Sequence, residues 1–422
     1  MTQTNTLKWS FSEKILFRFV FLFLIPFVLI INNGIFPLLY LVTQYPLSLL
    51  QQFIPWIAKN YLSIHYRIDV SPTGSGDTTF HYLQLLLFTS FSLVGTLIWT
   101  LIDQKRISYN TLYYWLTVAV RFYLAFTLIN YGMVKVIKLQ FPFPGSYRLI
   151  QAYGNSSPMG LAWTFLGFSK GYNLFMGIAE LLGALLLFRK TITIGSIIAL
   201  MTTANVMAIN YFYDVPVKIL STALVVMCIF LLAPNFRILF DFFIKGKAAV
   251  LKVLTFPQLQ NKWANRAVYG LKYLFICYSF LFIIFVTNSR EYGDRAPKSP
   301  LYGVYTVDTF IKNKDTIPQD SKETWRWKYL MMQGTKNSAI QYMNEETDYV
   351  EAIANTTTQK LSIVFNEDKK NINHLRYQVP DQNHLILQGH IYGDSIIIKL
   401  TKKEFELTKR EFNWISEQPF NR

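Results

Sequence analysis

Cysteine is nearly absent from this 422-residue chain: only Cys228 and Cys277 occur, both inside apolar runs, so no disulfide framework or CxxC redox pair is available. Histidine is scarce as well. His65, His81, His374, His384 and His390 lack the paired intramembrane spacing of a bis-histidine haem or a zinc site, which argues against metal or haem catalysis by this chain alone. Acidic charge is missing from most of the length. Of the 25 Asp and Glu, 18 lie from Asn288 onward beside 19 of the 41 Lys and Arg, which leaves 22 basic groups against 7 acidic ones before that point. These basic residues are strung between apolar runs, the arrangement of topology determinants and not of a nucleic-acid-binding face. What is abundant is hydrocarbon: 52% hydrophobic residues, 17% aromatics and a mean hydropathy of +0.24 predict an integral membrane protein.

Residues 1–14 are polar, with Lys8 and Lys14 ahead of the apolar run 15–31. No small-residue cleavage site follows that run, only Asn32-Asn33-Gly34, so it reads as an uncleaved first span and not a signal peptide. Residues 34–58 are apolar too, but Pro37, Pro46 and Pro55 remove backbone bonds that lipid cannot replace; an interfacial or re-entrant segment is expected. Residues 60–79, centred on SPTGSGD, read as an exposed loop. Further spans are expected at 80–102, 109–137, 172–188, 192–213, 215–232 and 268–286, each close to the ~20 residues that cross about 30 Å of hydrocarbon. Lys105, Arg106, Arg189, Lys190, Arg237, Lys245, Lys247, Lys252, Lys262 and Arg266 fall on the side of the amino terminus, whereas the opposite loops carry mainly Lys59, Arg67, Arg148 and Lys170. The positive-inside rule puts the amino end in the cytoplasm and, after seven spans, the carboxyl end outside. Residues 236–262 read either as a basic interfacial helix on an anionic inner surface or as a solvated loop.

Residues 288–300 (NSREYGDRAPKSP) are a linker by composition. Beyond it the period becomes two, in LYGVYTVDTFI, WRWKYLMM, SAIQYM, DYVEAIA, KLSIVF, HLRYQV, HLILQG and DSIIIKL, with turn formers at Asn366-Glu367-Asp368, Pro380-Asp381-Gln382-Asn383 and Tyr392-Gly393-Asp394. About eight short strands argue for an antiparallel barrel or sandwich. Trp325, Trp327 and Tyr329 alternate as the walls of a small ligand-holding barrel do, or as that domain's own core. The ending KREFNWISEQPFNR is expected to lay Phe412, Trp414 and Ile415 against the domain as a last strand. The fold class is therefore a polytopic α-helical membrane protein of about seven spans with a C-terminal antiparallel all-β domain. Its parts are 1–108, a four-helix core at 109–240, a basic segment and last span at 241–287, the linker, and the β domain at 301–422.

The core carries ionisable groups at depths where a bilayer holds hydrocarbon, and such groups are functional-site candidates by default. Arg121 stands twelve residues into its span, roughly 18 Å from Tyr109. Lys135, fourteen residues on, returns to nearly the same face, and Tyr131 shares it. Glu180 is the single acid of the next span, flanked by Gly177 and Gly183, and mid-depth Arg121 is its expected partner. Asn205 and Asn210 add amides; Tyr213, Asp214 and Lys218 cluster at the outer end. Two readings stay open: Arg121 and Glu180 tie two helices, or these residues line an outward-facing polar pocket roofed by the loop 140–170, with Gln140, Arg148, Ser157 and Trp163. Lys135 and Lys218 also fit snorkelling anchors, and Trp163 an aromatic-belt residue.

The order of R-x-Y-L, YGMVK followed by QFP, SPMG-L-x-WTF-x-G, G-x-x-E-L-x-G with a terminal FRK, and NVMAINYFYDVPVK resembles the DoxX family of bacterial inner-membrane proteins, over about 109–240. The resemblance is to the long members with an extra outer domain. It implies a four-helix core and, in some members, association with redox systems; relatives include a quinone-reducing thiosulfate oxidoreductase subunit. It carries no catalytic residue onto this chain. Members that handle disulfides need outer thiols, which this chain lacks. Two functions follow as expectations: a redox-associated membrane subunit whose pocket holds a quinone or other apolar ligand, with a redox or envelope protein as partner, or a non-catalytic envelope protein whose helices anchor a ligand- or protein-binding periplasmic β domain. Vitamin K-dependent carboxylases pair a helical body with an outer β domain too, a likeness of architecture alone.

Overall fold

A computed structural model of the protein describes residues 8–31, 35–253, 255, 261–320, 323–334, 337–365, 371–410 and 412–421. The expected turns at Asn32-Asn33-Gly34 and Asn366-Glu367-Asp368 lie outside them. The chain divides into two compact units, one of Met1–Phe141 with Ser157–Arg290 and one of Pro142–Ser156 with Glu291–Arg422.

The first unit is helical: α1 (Phe11–Ile30), α2 (Tyr40–Tyr61), α3 (Thr79–Ile102) and α4 (Asn110–Val136) are followed, after a short α5 (Ser146–Ile150) that belongs to the second unit, by α6 (Pro158–Phe168), α7 (Lys170–Leu181), α8 (Ile192–Phe212), α9 (Lys218–Leu232), α10 (Phe236–Lys245) and α11 (Lys262–Asn288). Six stretches are long and apolar enough to cross a membrane: α3, α4, Lys170–Leu187, Arg189–Phe212, Lys218–Lys245 and α11. Helix α1, expected as a span, carries Glu13, Lys14 and Arg18 in its first half and packs against α3 and α4. Helix α2 is one continuous helix despite Pro46 and Pro55, because a proline costs one i→i−4 bond without forbidding helical φ; it is not a re-entrant turn.

Helix α4 is central, with every residue from 120 to 129 buried. It lies so close to α7 that a Cβ on Gly177 would stand 2.8 Å from the Gly132 carbonyl oxygen, and one on Gly183 would stand 2.7 Å from Leu128. Small residues permit this approach where no hydrophobic effect drives helices together. At one end Arg18, 1% exposed, donates through Nε and Nη2 to the Tyr109 hydroxyl (3.0 and 2.7 Å), through Nη1 to Thr100 (2.8 Å) and through Nη2 to the Asp103 carbonyl (2.9 Å). The loop at SPTGSGD is exposed over residues 71–74, as expected, and its end is docked: the Asp77 carboxylate accepts from the backbone N–H groups of Lys218 (2.6 Å) and Ile219 (3.0 Å), capping α9.

The second unit is a closed antiparallel barrel of eight strands, β1 (Gly303–Lys312), β3 (Trp327–Met332), β4 (Ser338–Tyr342), β5 (Thr347–Asn355), β6 (Lys360–Phe365), β7 (Asn373–Gln378), β8 (His384–Ile391) and β9 (Asp394–Lys402), with a three-residue β2 (Asp315–Ile317) added beside the end of β1. Strand order follows chain order, and β1 pairs with β9 to close the barrel, which removes both edges. Leu330, Ile340, Leu361, Ile363, Leu387 and Ile398 fill the interior and are fully buried. Trp327 belongs to this core and Trp325 packs against it, but Tyr329 does not line the interior: the register shifts between Trp327 and Tyr329, and Tyr329 joins Tyr147, Ile150 and Phe405 in a separate cluster. Among the described residues of the ending, the expected last strand is not formed. After α12 (Glu406–Lys409) the described residues 412–421 form no helix or strand, and Phe412, Trp414 and Ile415 are 78%, 91% and 80% exposed.

Candidate functional site

Two helices bring one cation and one anion together inside the helical unit. Lys135 Nζ lies 2.8 Å from both Oε1 and Oε2 of Glu180, and the two residues are 4% and 3% exposed. The pairing expected for Glu180, with Arg121, is thereby corrected. The glycine contacts set α4 and α7 antiparallel with 128 beside 183 and 132 beside 177 to 181, so Glu180 is level with about residue 131. The lysine stem, leaning toward the amino end of its helix, reaches that level from one turn away. Arg121 is about ten residues further down α4, roughly 15 Å along the axis.

The pair lies in the wall of a cavity of about 420 Å³ between α4, α6, α7, α8 and α9, a size that suits one small molecule. Of the sequence candidates, Tyr131, Lys135, Glu180, Asn205 and Asn210 line it, as do Gln140 and Trp163 from the expected roof. The remaining wall is mostly apolar, with Leu128, Phe141, Met159, Phe175, Met201 and Leu224 among its residues, and Tyr172, Thr202, Thr203 and Ser221 as further polar ones. After Val136 the chain turns through Lys138, at φ +58°, which brings Gln140 and Phe141 to the cavity. Phe141 packs edge-on against Trp163 at 5.0 Å. Asn173 holds the α6–α7 corner through Nδ2 bonds to the carbonyls of Leu166 (2.6 Å) and Ser169 (3.0 Å).

Six candidates, Arg121, Tyr213, Asp214, Lys218, Arg148 and Ser157, stand elsewhere. Arg121 is buried against the Phe122 ring and does not line the cavity. Tyr213 and Asp214 occupy the tight turn into α9, where Asp214, with its side chain 82% exposed, accepts from Lys218 Nζ at 2.9 Å: a surface ion pair that fastens a connection. Arg148 falls in the segment that folds with the barrel and donates to Gln151. Ser157 caps α6 through the Gly160 N–H. Sequence reasoning also passed over Gly74, which lines the cavity, and Asp77, which fixes the start of α9. An Asp directly after Gly74-Ser75-Gly76, at the end of a glycine-rich turn, is the signal that was available for the latter.

The chemistry on offer follows from what is left unbonded. Among the described residues the ammonium of Lys135 gives two hydrogens to Glu180 and has a third with no partner; the Tyr131 hydroxyl is unpartnered, and Gln140 Oε1 is buried without a donor. Lys135 Nζ also stands 5.5 Å from the Tyr131 ring centroid and 5.7 Å from that of Phe141. A molecule entering here meets hydrocarbon on most sides, the cationic donor of Lys135, the phenols of Tyr131 and Tyr172 and the amides of Gln140, Asn205 and Asn210.

No protein-family model matches the chain, and no solved structure matches it. Over 113 residues it is 40% identical to "Uncharacterized protein YwoB" of Bacillus subtilis (strain 168), a stretch that makes up 26% of this chain and 71% of that protein.

Proposed function

The chain belongs to the family of the Bacillus subtilis protein YwoB, and we propose that its helical unit holds a quinone or a similarly apolar carbonyl compound, as a redox-associated subunit of the membrane. The observation that carries this reading is the third hydrogen on the buried Lys135 ammonium, which among the described residues has no partner, beside the unpartnered Tyr131 hydroxyl and Gln140 Oε1, in a mostly apolar cavity. A quinone carbonyl needs a donor, and Lys135 and Tyr131 supply two; the hydroxyl of the reduced form needs an acceptor, and Gln140 supplies one. Glu180 is placed to take or return a proton by way of Lys135. Electrons come from a partner protein. The DoxX-like order of motifs supports the same assignment, and the basic connections support a place in the bacterial inner membrane with the amino end cytoplasmic and the barrel periplasmic.

The test is to extract the purified protein with organic solvent and identify what it releases by mass spectrometry. A quinone recovered from wild type and depleted about tenfold or more in Lys135→Met with Glu180→Leu supports the reading. Equal recovery from both proteins overturns it.

A second reading, an envelope protein whose helices anchor a binding domain, is favoured by a cavity of about 240 Å³ in the barrel, lined by Lys312, Trp325, Trp327, Tyr342, Asp348 and Asp394 among others. Lys312 Nζ sits 4.3 Å over the Trp325 ring and 2.8 Å from Asp394. Binding of the physiological ligand by a protein with an intact barrel and a dismantled Lys135–Glu180 pair would select this alternative.

A further inference from the structure

Two arginines are buried in the helical unit, and they differ in how they are satisfied. Arg18 spends its donors on Tyr109, Thr100 and Asp103. Arg121, 2% exposed in the middle of α4, has no hydrogen-bond partner for Nε or Nη1, and among the described residues no carboxylate bears on it. A buried guanidinium without a counter-charge is among the costliest things a membrane protein can hold, so such a group marks a function.

Its surroundings add positive charge instead of removing it. Arg189, at the turn between α7 and α8, and Lys272, on α11, both lie within electrostatic range, and the charges of Arg121 and Arg189 both bear on Lys272. Arg189 Nη2 donates to the Tyr269 hydroxyl at 2.9 Å, and Lys272 Nζ stands 5.9 Å from the Phe188 ring centroid, which fastens this turn to α11. Tyr114, one face and two turns from Arg121 on α4, borders the same group of charges. Three cations from three separate elements thus lie within electrostatic range of one another, with Tyr114 and Tyr269 beside them and, among the described residues, no carboxylate bearing on Arg121 or Lys272. Arg189 and Lys272 are only partly buried, so the cluster opens outward, at the end of the bundle where the basic connections gather.

We infer that Arg121, Arg189 and Lys272 form a phosphate-binding site, filled by the headgroup of an anionic phospholipid or by a soluble phosphate ester. Guanidinium and ammonium groups together suit a phosphate oxyanion, and a basic recess between membrane helices suits one carried by a lipid. The phosphate supplies the negative charge that Arg121 lacks. This site is distinct from the cavity at Lys135 and does not rest on the quinone reading.

The test uses the full-length protein, delipidated in a neutral detergent and followed by thermal unfolding and native mass spectrometry. The probes are phosphatidylglycerol, phosphatidylcholine and glycerol 3-phosphate. Phosphatidylglycerol should be retained in preference to phosphatidylcholine and should raise the melting temperature. Arg121→Gln and Lys272→Gln should each weaken that retention about tenfold or more, and exposed Lys190→Gln should leave it nearly unchanged. Lys272 is partly exposed, so its variant reports on binding even if Arg121→Gln does not fold. A response to the lipid alone assigns the headgroup; a response to glycerol 3-phosphate assigns a soluble ester. The inference is overturned if no probe is retained by wild type. It is equally overturned if Lys272→Gln binds as well as wild type, or if Lys190→Gln loses as much as Lys272→Gln, since that would be diffuse attraction.

Discussion

At the scale of single residues, the account turns on how a buried pair behaves when halved. Removing Lys135 alone leaves Glu180 charged or forced to protonate in an apolar wall, at a cost of about 3–5 kcal/mol, whereas removing both partners leaves a hydrophobic contact at little cost. Thermal unfolding in detergent should therefore rank Lys135→Met well below Lys135→Met with Glu180→Leu. Arg121 and Glu180, roughly 15 Å apart along the helices, should not couple: Arg121→Leu and Glu180→Leu should add to within about 0.5 kcal/mol. Which residues are polar around Lys135 was legible from one helix at a time, since Tyr131 and Lys135 share a face by the 3.6-residue period and Glu180 is the single acid of its stretch. Which cation meets Glu180 was not, because that depends on the axial register between helices and the register is set by glycines on both of them.

At the scale of elements, the α4–α7 contact and the barrel closure carry the structure. A side chain at Gly177 meets Val136 at 2.7 Å and the Gly132 carbonyl at 2.8 Å, so Gly177→Val should push the helices apart, separate Lys135 from Glu180 and lower stability by about 1–3 kcal/mol. Circular dichroism melting together with ligand retention reads both effects. In the barrel, Leu387 is fully buried, and Leu387→Ala should cost about 2–5 kcal/mol in unfolding experiments. At its cavity, Lys312 and then Asn313 hold the Asp394 carboxyl below the usual carboxylate range by hydrogen bonding. A depressed folded value adds stability above the unfolded pKa that is lost as pH falls through the folded one, so Asp394→Asn should be less stable than wild type at neutral pH and converge with it in acid. The eight strands were legible as eight runs of period two, each bounded by turn formers. The bulge that turns Tyr329 away from the interior was not, because one extra residue in a ladder leaves no mark in composition.

At the scale of the whole molecule, two units of different chemistry share one chain, and the segment Pro142–Ser156, which falls between two helices in sequence, folds with the barrel. Sequence continuity places it over the cavity, whereas the contacts of Tyr147 and Ile150 with Val304, Met331 and Ala339 and the Phe143 N–H bond to Asp294 assign it to the other unit. The basic connections predict opposite sides for the two ends of α11. With both native cysteines replaced, Thr357→Cys in the barrel should react with a membrane-impermeant thiol reagent on intact cells, and Lys247→Cys only after permeabilisation; the reverse pattern would invert the topology.

The most direct measurement is a titration of detergent-purified protein with a short-chain quinone, read as a shift in melting temperature, on wild type and on the Lys135→Met, Glu180→Leu double variant. The account predicts a saturable rise for wild type and none for the double variant, whose own melting temperature stays close to that of wild type. Equal rises in the two proteins, or none in either, would contradict it.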